Sequence, residues 1–143
     1  MAEHPNVAVI RDMFAAFAKG DLAALNDVFA EDLVWHEGGR NQISGDYRGR
    51  EAVFGFFGKT MELTQGAFRV DLHDVLADDE HGVALVALSA SRDGRSINVN
   101  AVDVMHLRDG NGLSLLNYIR ESSLPLAVVI LGLVFTTGRR KTK

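Results

Sequence analysis

The chain has 143 residues, 47% hydrophobic and 24% charged, and it contains no cysteine. This length and composition predict one folded domain with a sizeable core, and the lack of cysteine excludes disulfides, thiolate zinc sites and cysteine nucleophiles. The net charge is −4, and four basic residues cluster near the C-terminus, so the acidic remainder argues against a nucleic-acid partner. The N-terminus lacks the basic and apolar segments of a signal peptide, and we therefore expect a cytoplasmic protein.

Two helices are predicted at the start of the chain. The first carries apolar residues at the spacing of one helical face, namely Ile10, Met13, Phe14 and Phe17. Pro5 suits its start and Gly20 suits its end. Asp21 can cap the second helix, whose predicted apolar side is formed by Leu22, Leu25, Val28 and Phe29.

A bulky strand is predicted at residues 33–37, directly after an acidic turn. It places three pocket-type residues next to one another, namely Trp35, His36 and Glu37. A glycine-broken loop leads from this strand to a third helix, which is expected to begin near Gly49 and to bury Val53, Phe57 and Met61. Gly55 and Gly58 lower the helix propensity and are expected to allow close packing against a sheet.

From residue 67 the apolar period changes from the helical value to two, which indicates strands. Residues 83–90 are apolar on both faces and predict a central strand. The pair Asp93-Gly94 is a hairpin signal. The remaining strands are expected from residue 67 to the turn at 78–82, at 96–107 and at 113–119. Helices followed by an antiparallel meander predict an α+β fold, with the helices on one face of a curved sheet.

The order of these elements and four short motifs resemble the nuclear-transport-factor-2-like superfamily, closest to its SnoaL-like and ketosteroid-isomerase-like members. The resemblance spans about residues 6–112 and rests on Phe17-Ala18-Lys19-Gly20-Asp21-Leu22, Phe29-Ala30-Glu31-Asp32-Leu33-Val34-Trp35-His36, Tyr47-Arg48-Gly49-Arg50-Glu51-Ala52-Val53 and Arg108-Asp109-Gly110. It implies a cone-shaped, cystatin-like sheet wrapped around the N-terminal helices, with a deep apolar pocket. It also implies a homodimer that binds a small lipophilic molecule.

Family members include isomerases, cyclases and hydratases as well as non-catalytic binding or dimerisation modules, so both function classes stay open. The resemblance implies Glu37 as the base and Asp103 as the protonated acid of an oxyanion hole. The alternatives are an exposed Glu37 at a strand end and a solvent-facing Asp103. Strand alternation groups Asp103 with Ala101, Met105 and Leu107 and favours its burial. The tyrosines of ketosteroid isomerases fall at Met13 and Phe57, which cannot donate hydrogen bonds.

The other candidate residues each have two interpretations. His36 would orient a ligand or act as an acid-base group, or else is a structural histidine bonded to the backbone. Trp35 is a pocket wall or core packing, and Tyr47 bonds a ligand or edges the loop. The remaining predicted ligand contacts are apolar, namely Met13, Phe17, Phe57 and Met105. No phosphate loop, serine-hydrolase motif or metal-ligand spacing occurs, so neither cofactor nor metal is expected.

The C-terminal part departs from the family. We expect a domain at 1–121 followed by an atypical apolar and basic tail at 122–143. A shifted reading frame from about residue 111 can encode the family-like strand Trp-Thr-Glu-Phe-Thr-Glu, and the gene sequence tests this hypothesis. The apolar run at 124–135 is too short for an ordinary membrane span. It is read as an additional strand, and membrane contact through it is the weaker alternative.

Overall fold

The computed structural model describes residues 2–108 in full and residues 112–116 by their backbone. In chain order, the elements are α1 (Pro5–Lys19), α2 (Leu22–Val28), β1 (Val34–Glu37), β2 (Gly45–Arg48), α3 (Arg50–Leu63), β3 (Arg69–Ala77), β4 (His81–Arg92), β5 (Arg95–Arg108) and β6 (Gly112–Leu116). The antiparallel sheet runs β3-β4-β5-β6, and β1 and β2 form a separate two-stranded sheet. The predicted α+β class is confirmed.

The N-terminal helices begin and end where local chemistry predicts. Pro5 occupies the first turn of α1, and Gly20 ends this helix in the left-handed region at φ 67°. The Asp21 carboxylate accepts a hydrogen bond of 3.0 Å from the Ala24 amide and caps α2. Leu22 was predicted on the buried side of α2 but is 52% exposed. It occupies the first position of α2, and residues 21–23 at this end of the helix are all exposed.

The meander follows the predicted alternation closely. β4 is the central strand predicted from its apolar faces, paired with β3 on one side and with β5 on the other. Asp93 and Gly94 both have positive φ values, 51° and 75°, as a two-residue primed turn requires. The inward-facing residues of β4 and β5 are buried and form the sheet side of the core, namely Ala84, Val86, Leu88, Ala101, Asp103, Met105 and Leu107.

Two predictions about the middle of the chain were wrong. Gly45–Arg48 is a strand paired with β1, whereas the sequence predicts a loop at these residues. Its side chains are mostly exposed, so no apolar alternation marks it. Met61 was expected to be buried in α3 but is 39% exposed at the edge of the core.

The last predicted strand, 113–119, corresponds in part to β6, which pairs with β5 from Val104 to Arg108. Residues 117–119 of that prediction lie outside the described residues. So do the predicted boundary at residue 121 and the tail at 122–143. The shifted reading frame concerns the gene and stays a prediction. Within the described part of the chain, none of the helices combines the length and the apolar character needed to cross a membrane.

Helix α1 packs closely against the sheet at Gly82 of β4. The sequence predicted such close packing at Gly55 and Gly58 of α3 instead. A Cβ added at Gly82 would overlap the terminal methyl group of Ile10 and approach Leu107 Cδ1 at 3.4 Å. The same atom at Gly55 or Gly58 would meet no neighbour within 4 Å. The glycine that lets α1 approach the sheet therefore belongs to the sheet itself.

We expect Gly82→Ala to lower the free energy of unfolding by about 1–3 kcal/mol, because the added Cβ must displace the terminal methyl group of Ile10, which is fully buried. Gly58→Ala is the matched control. It adds the same methyl group to a helical position without neighbours, and should raise stability by about 0.5–1 kcal/mol. Urea denaturation of both variants measures the two changes. Equal effects of the two substitutions would contradict the close contact.

Candidate functional site

A cavity of about 70 Å³ lies among the helices and the inner face of the sheet. This volume is about five times what a single water molecule needs. Its described wall is almost entirely apolar and combines aromatic residues (Phe14, Phe17, Phe29, Trp35, Phe56, Phe57 and Phe68) with aliphatic residues and methionines (Met13, Leu25, Ile43, Met61, Val70 and Leu88). Three polar residues complete it, namely Thr60, Glu37 and Asp103. A cavity of this kind suits an apolar ligand with a small polar group.

The aromatic wall is organised around Phe57 of α3. Its ring meets the Phe17 ring edge to face at 5.1 Å between centroids, and meets the Trp35 ring in the same manner at 5.0 Å. The Phe56 ring lies 5.6 Å from both Trp35 and Phe57. Edge-to-face pairs each add about 0.5–1.5 kcal/mol beyond the burial of their surface. Phe57 thus joins α1, α3 and β1 at the cavity.

Asp103 reaches the cavity from β5. Strand alternation turns its side chain inward with Ala101 and Met105, and it lies opposite Ala84 of β4. The residue is only 7% exposed, and within the described part of the chain nothing donates a hydrogen bond to its carboxyl. Burial away from water disfavours the charged form and raises the pKa of Asp103 to about 7. The carboxyl can therefore act as a hydrogen-bond donor or as an anion near neutral pH.

Glu37 reaches the same cavity from the end of β1. Residues two apart on a strand share a face, so its side chain lies beside that of Trp35. Trp35 Nε1 donates a hydrogen bond of 3.1 Å to Glu37 Oε2. Desolvation, and second the nearby Glu37 charge, raise the pKa of Tyr47 on the paired strand β2. The indole N–H holds the Glu37 carboxylate at the cavity wall.

Ile43, from the loop between β1 and β2, closes one side of the cavity. It is 4% exposed although it lies in a loop. Its carbonyl accepts a hydrogen bond of 2.7 Å from the Tyr47 hydroxyl, and its amide donates to Asn41 Oδ1 at 2.9 Å. Ser44 Oγ donates to the Gly38 carbonyl at 3.1 Å and draws the two ends of the loop together. These bonds hold the Ile43 side chain against the cavity.

The structure brings six of the nine predicted site residues to this cavity, namely Glu37, Asp103, Trp35, Met13, Phe17 and Phe57. His36 is not among the described lining residues, because alternation turns it to the other face of β1. There its Nδ1 lies 2.6 Å from Asp46 Oδ1. This placement gives His36 no access to a molecule inside the cavity.

Tyr47 and Met105 are also absent from the described wall. The Tyr47 hydroxyl is bonded to Ile43, and its ring packs on Phe56 at 4.6 Å, which corresponds to the loop-edge interpretation. Met105 is fully buried in the core on the same face of β5 as Asp103. For both residues the structure shows a packing role.

Among the lining residues that the sequence analysis did not assign to the site are Phe56, Thr60 and Ile43. Phe56 is buried next to Phe57, and the run of aromatic residues in α3 was the available signal. Thr60 lies one turn after Phe56 and donates its hydroxyl to the Phe56 carbonyl at 3.0 Å, so the helix itself satisfies it. Ile43 carries no local signal, because its burial depends on closure of the loop.

Comparisons with known proteins agree with this architecture. Residues 10–112 match the family model of the SnoaL-like domain. The uncharacterized protein Rv0034 of Mycobacterium tuberculosis is similar, with 35% identity over 99 residues that cover 68% of this chain and 76% of that protein. Bal32a, from a soil-derived mobile gene cassette, is similar in structure, with a TM-score of 0.81 and 28% identity, over 92% of this chain and 96% of that chain.

TerC, co-crystallized with polyporic acid, is also similar in structure, with a TM-score of 0.76. The similarity covers 92% of this chain and 98% of that chain. At 16% sequence identity, this similarity shows a shared fold.

Proposed function

The chain belongs to the SnoaL-like domain family of the nuclear-transport-factor-2-like superfamily, and from this premise we propose that it binds a small lipophilic molecule in the cavity. The ligand's apolar body would contact the aromatic wall, and its polar group would meet Asp103. The observation that carries this proposal is a carboxyl that is 7% exposed, faces the cavity and has no hydrogen-bond donor among the described residues.

The energetics of Asp103 support a ligand with a polar group. A buried polar group without a partner costs about 1–3 kcal/mol, and a ligand that bonds to it recovers part of this cost. Thr60 bonds to its own helix, and the Trp35 N–H bonds to Glu37. A ligand oxygen that accepts a hydrogen bond from protonated Asp103 therefore meets the least engaged polar group of the described wall. The neighbour TerC, co-crystallized with polyporic acid, indicates that this fold is compatible with small organic ligands.

We expect acetophenone, a neutral ring that carries one carbonyl acceptor, to raise the melting temperature and to quench the fluorescence of the single tryptophan, Trp35, in a saturable manner. Leu88→Phe should weaken this binding, because Leu88 lines the cavity. Leu85→Phe is the matched control, since it places the same ring on the opposite face of β4. Titration of both variants measures the difference. If acetophenone produces no saturable change in the unaltered protein, the binding proposal fails.

A second candidate function is acid-base catalysis, and the presence of two carboxyls on a largely apolar described wall favours it. The Glu37 carboxylate would remove a proton from the carbon next to a ligand carbonyl. Protonated Asp103 would donate a hydrogen bond to the carbonyl oxygen as negative charge develops there. Glu37 would then return the proton to the same or to a neighbouring carbon, which yields exchange or isomerisation with no net change of protons.

This candidate predicts that the protein accelerates deuterium exchange at the methyl group of acetophenone in D2O. Glu37→Gln should lower the exchange rate by about 10²–10⁴-fold, since the amide cannot accept the proton. His36→Gln is the control and should leave the rate unchanged, because His36 lies on the other face of β1. NMR of the ketone follows the exchange. Binding of acetophenone without faster exchange would leave a non-catalytic binding protein.

A further inference from the structure

The described wall of the cavity has a pronounced charge asymmetry. Its two ionisable residues, Glu37 and Asp103, are both acids, and neither lysine, arginine nor histidine is among the described lining residues. Glu37 is held by the Trp35 N–H, whereas the Asp103 carboxyl receives no hydrogen bond from the described residues. A buried acid without a cationic neighbour is a site at which a ligand can supply the missing positive charge.

The rings around these acids strengthen the same preference. The faces of aromatic rings carry partial negative charge and attract cations within about 6 Å, most strongly for tryptophan. Trp35, Phe56 and Phe57 form a continuous group with centroids 5.0–5.6 Å apart, and Trp35 bonds directly to Glu37. The described wall thus combines two carboxyls with an aromatic surround, which is the composition of sites that bind organic ammonium ions.

We propose that the ligand of this cavity is a lipophilic amine, bound as its ammonium ion, with the nitrogen paired to the Asp103 carboxylate and the carbon skeleton against the rings. The inference rests on the proposed binding function and adds the chemical class of the ligand. An ammonium ion that enters while Asp103 is protonated sends the Asp103 proton to solvent. An unprotonated amine takes that proton directly. In both cases the bound state is an ammonium–carboxylate pair.

A neutral ligand and an anionic ligand make different demands on the same residues. A neutral carbonyl or hydroxyl compound leaves Asp103 protonated and gains one hydrogen bond. A carboxylate ligand is repelled by the Glu37 carboxylate and by the anionic form of Asp103, and it finds no cation on the described wall. An ammonium ion gains the charge pair and the ring contacts together. The order of affinity expected from the wall is therefore amine, neutral compound, anion.

Three probes of nearly equal shape test this order on the full chain, namely benzylamine, benzyl alcohol and benzoate, by calorimetric titration at one pH and ionic strength. Benzylamine should bind about tenfold or more tightly than benzyl alcohol, and benzoate should show no saturable binding. Asp103→Asn should reduce the amine affinity to about that of the alcohol, because the neutral amide cannot form the charge pair with the ammonium ion. Asp71→Asn, on the exposed surface of β3, is the control: it removes a carboxylate outside the cavity and should preserve the preference for benzylamine over benzyl alcohol.

Proton counting in the unaltered protein provides a second measurement that needs no variant. Benzylamine binding near pH 7 should release protons that benzyl alcohol does not, and titration in two buffers of different ionisation enthalpy detects them. Glu37 is the other acid on the described wall, and its charge lies near Tyr47. The variant Glu37→Gln removes this acid, so any proton that is still released can be assigned to Asp103. The release should persist in that variant.

The outcomes separate this inference from the binding function on which it rests. If benzyl alcohol binds as tightly as benzylamine, or if no proton is released with the amine, the amine inference is overturned while the cavity remains a binding site. If none of the three probes binds, both proposals fail. A preference for the amine that survives Asp103→Asn would place the nitrogen elsewhere and would also overturn the inference.

Discussion

Asp103→Asn is expected to stabilise the protein at pH 8 and to destabilise it at pH 4. The wild-type carboxyl is 7% exposed, and burial raises its pKa from 3.8 to about 7. A difference of about three pKa units between the folded and unfolded states corresponds to about 4 kcal/mol of pH-dependent stability. The asparagine amide does not ionise, so the variant lacks this dependence.

The sign follows from where the protons are bound. Below about pH 4 the carboxyl carries its proton in both states, and ionisation has no effect on folding. Between about pH 4 and pH 7 the unfolded chain ionises while the folded chain keeps its proton, so wild-type stability falls as the pH rises. Above about pH 7 the loss is complete and stays constant. Unlike an acid that is stabilised as an anion, Asp103 therefore weakens the fold at alkaline pH.

The measurement is the difference in unfolding free energy between Asp103→Asn and wild type, obtained from urea denaturation at several pH values. The buried amide has two N–H donors without partners where the protonated carboxyl has one O–H donor, so the amide costs more at every pH and the variant should be less stable at pH 4. It should become the more stable protein by about 1–3 kcal/mol at pH 8. Asp71→Asn is the control, because its exposed carboxyl is hydrated in both states. Parallel stability curves for wild type and Asp103→Asn would show that the carboxyl is not desolvated.

Residues governed by local rules could be placed from the sequence. Asp103 could be assigned to the inner face because more and less buried residues alternate along β5 from Ser96 to Arg108, and the Asp93-Gly94 turn sets its register with β4. The same rule, applied to β1, turns His36 away from Trp35 and Glu37. The prediction that joined all three residues in one site relied on their adjacency in the chain, and strand geometry separates neighbours onto opposite faces.

Other parts of the site depend on contacts between distant segments. Ile43 is buried because hydrogen bonds from the Tyr47 hydroxyl and to the Asn41 side chain hold its loop in place. No sequence pattern within residues 38–44 predicts this burial. Strand β2 exists through its pairing with β1, since its own exposed residues show no preferred face. The close contact at Gly82 requires the position of Ile10 on α1. Such features are set by tertiary structure, which local propensity does not encode.

Phe57→Ala is expected to lower the free energy of unfolding by about 3–5 kcal/mol, the largest loss that we predict for a single substitution. Phe57 is 8% exposed, and its ring contacts Phe17 and Trp35 edge to face. Removing it leaves these rings without their common partner and joins the vacated space to the existing cavity. Phe54→Ala, on the same helix, removes an equal ring that is half-buried and outside the described wall, so it should cost less.

The two phenylalanine variants should also respond differently to a ligand. Benzene can occupy an apolar space vacated by a large side chain, and it stabilises the folded state in proportion to its binding. We therefore expect saturating benzene to raise the melting temperature of Phe57→Ala by several degrees more than that of Phe54→Ala. Circular dichroism melts of wild type and both variants measure these shifts. Equal shifts in the two variants would mean that the space left by Phe57 is filled by collapse of its neighbours. The ring would then be a packing element of the core rather than a wall of the cavity.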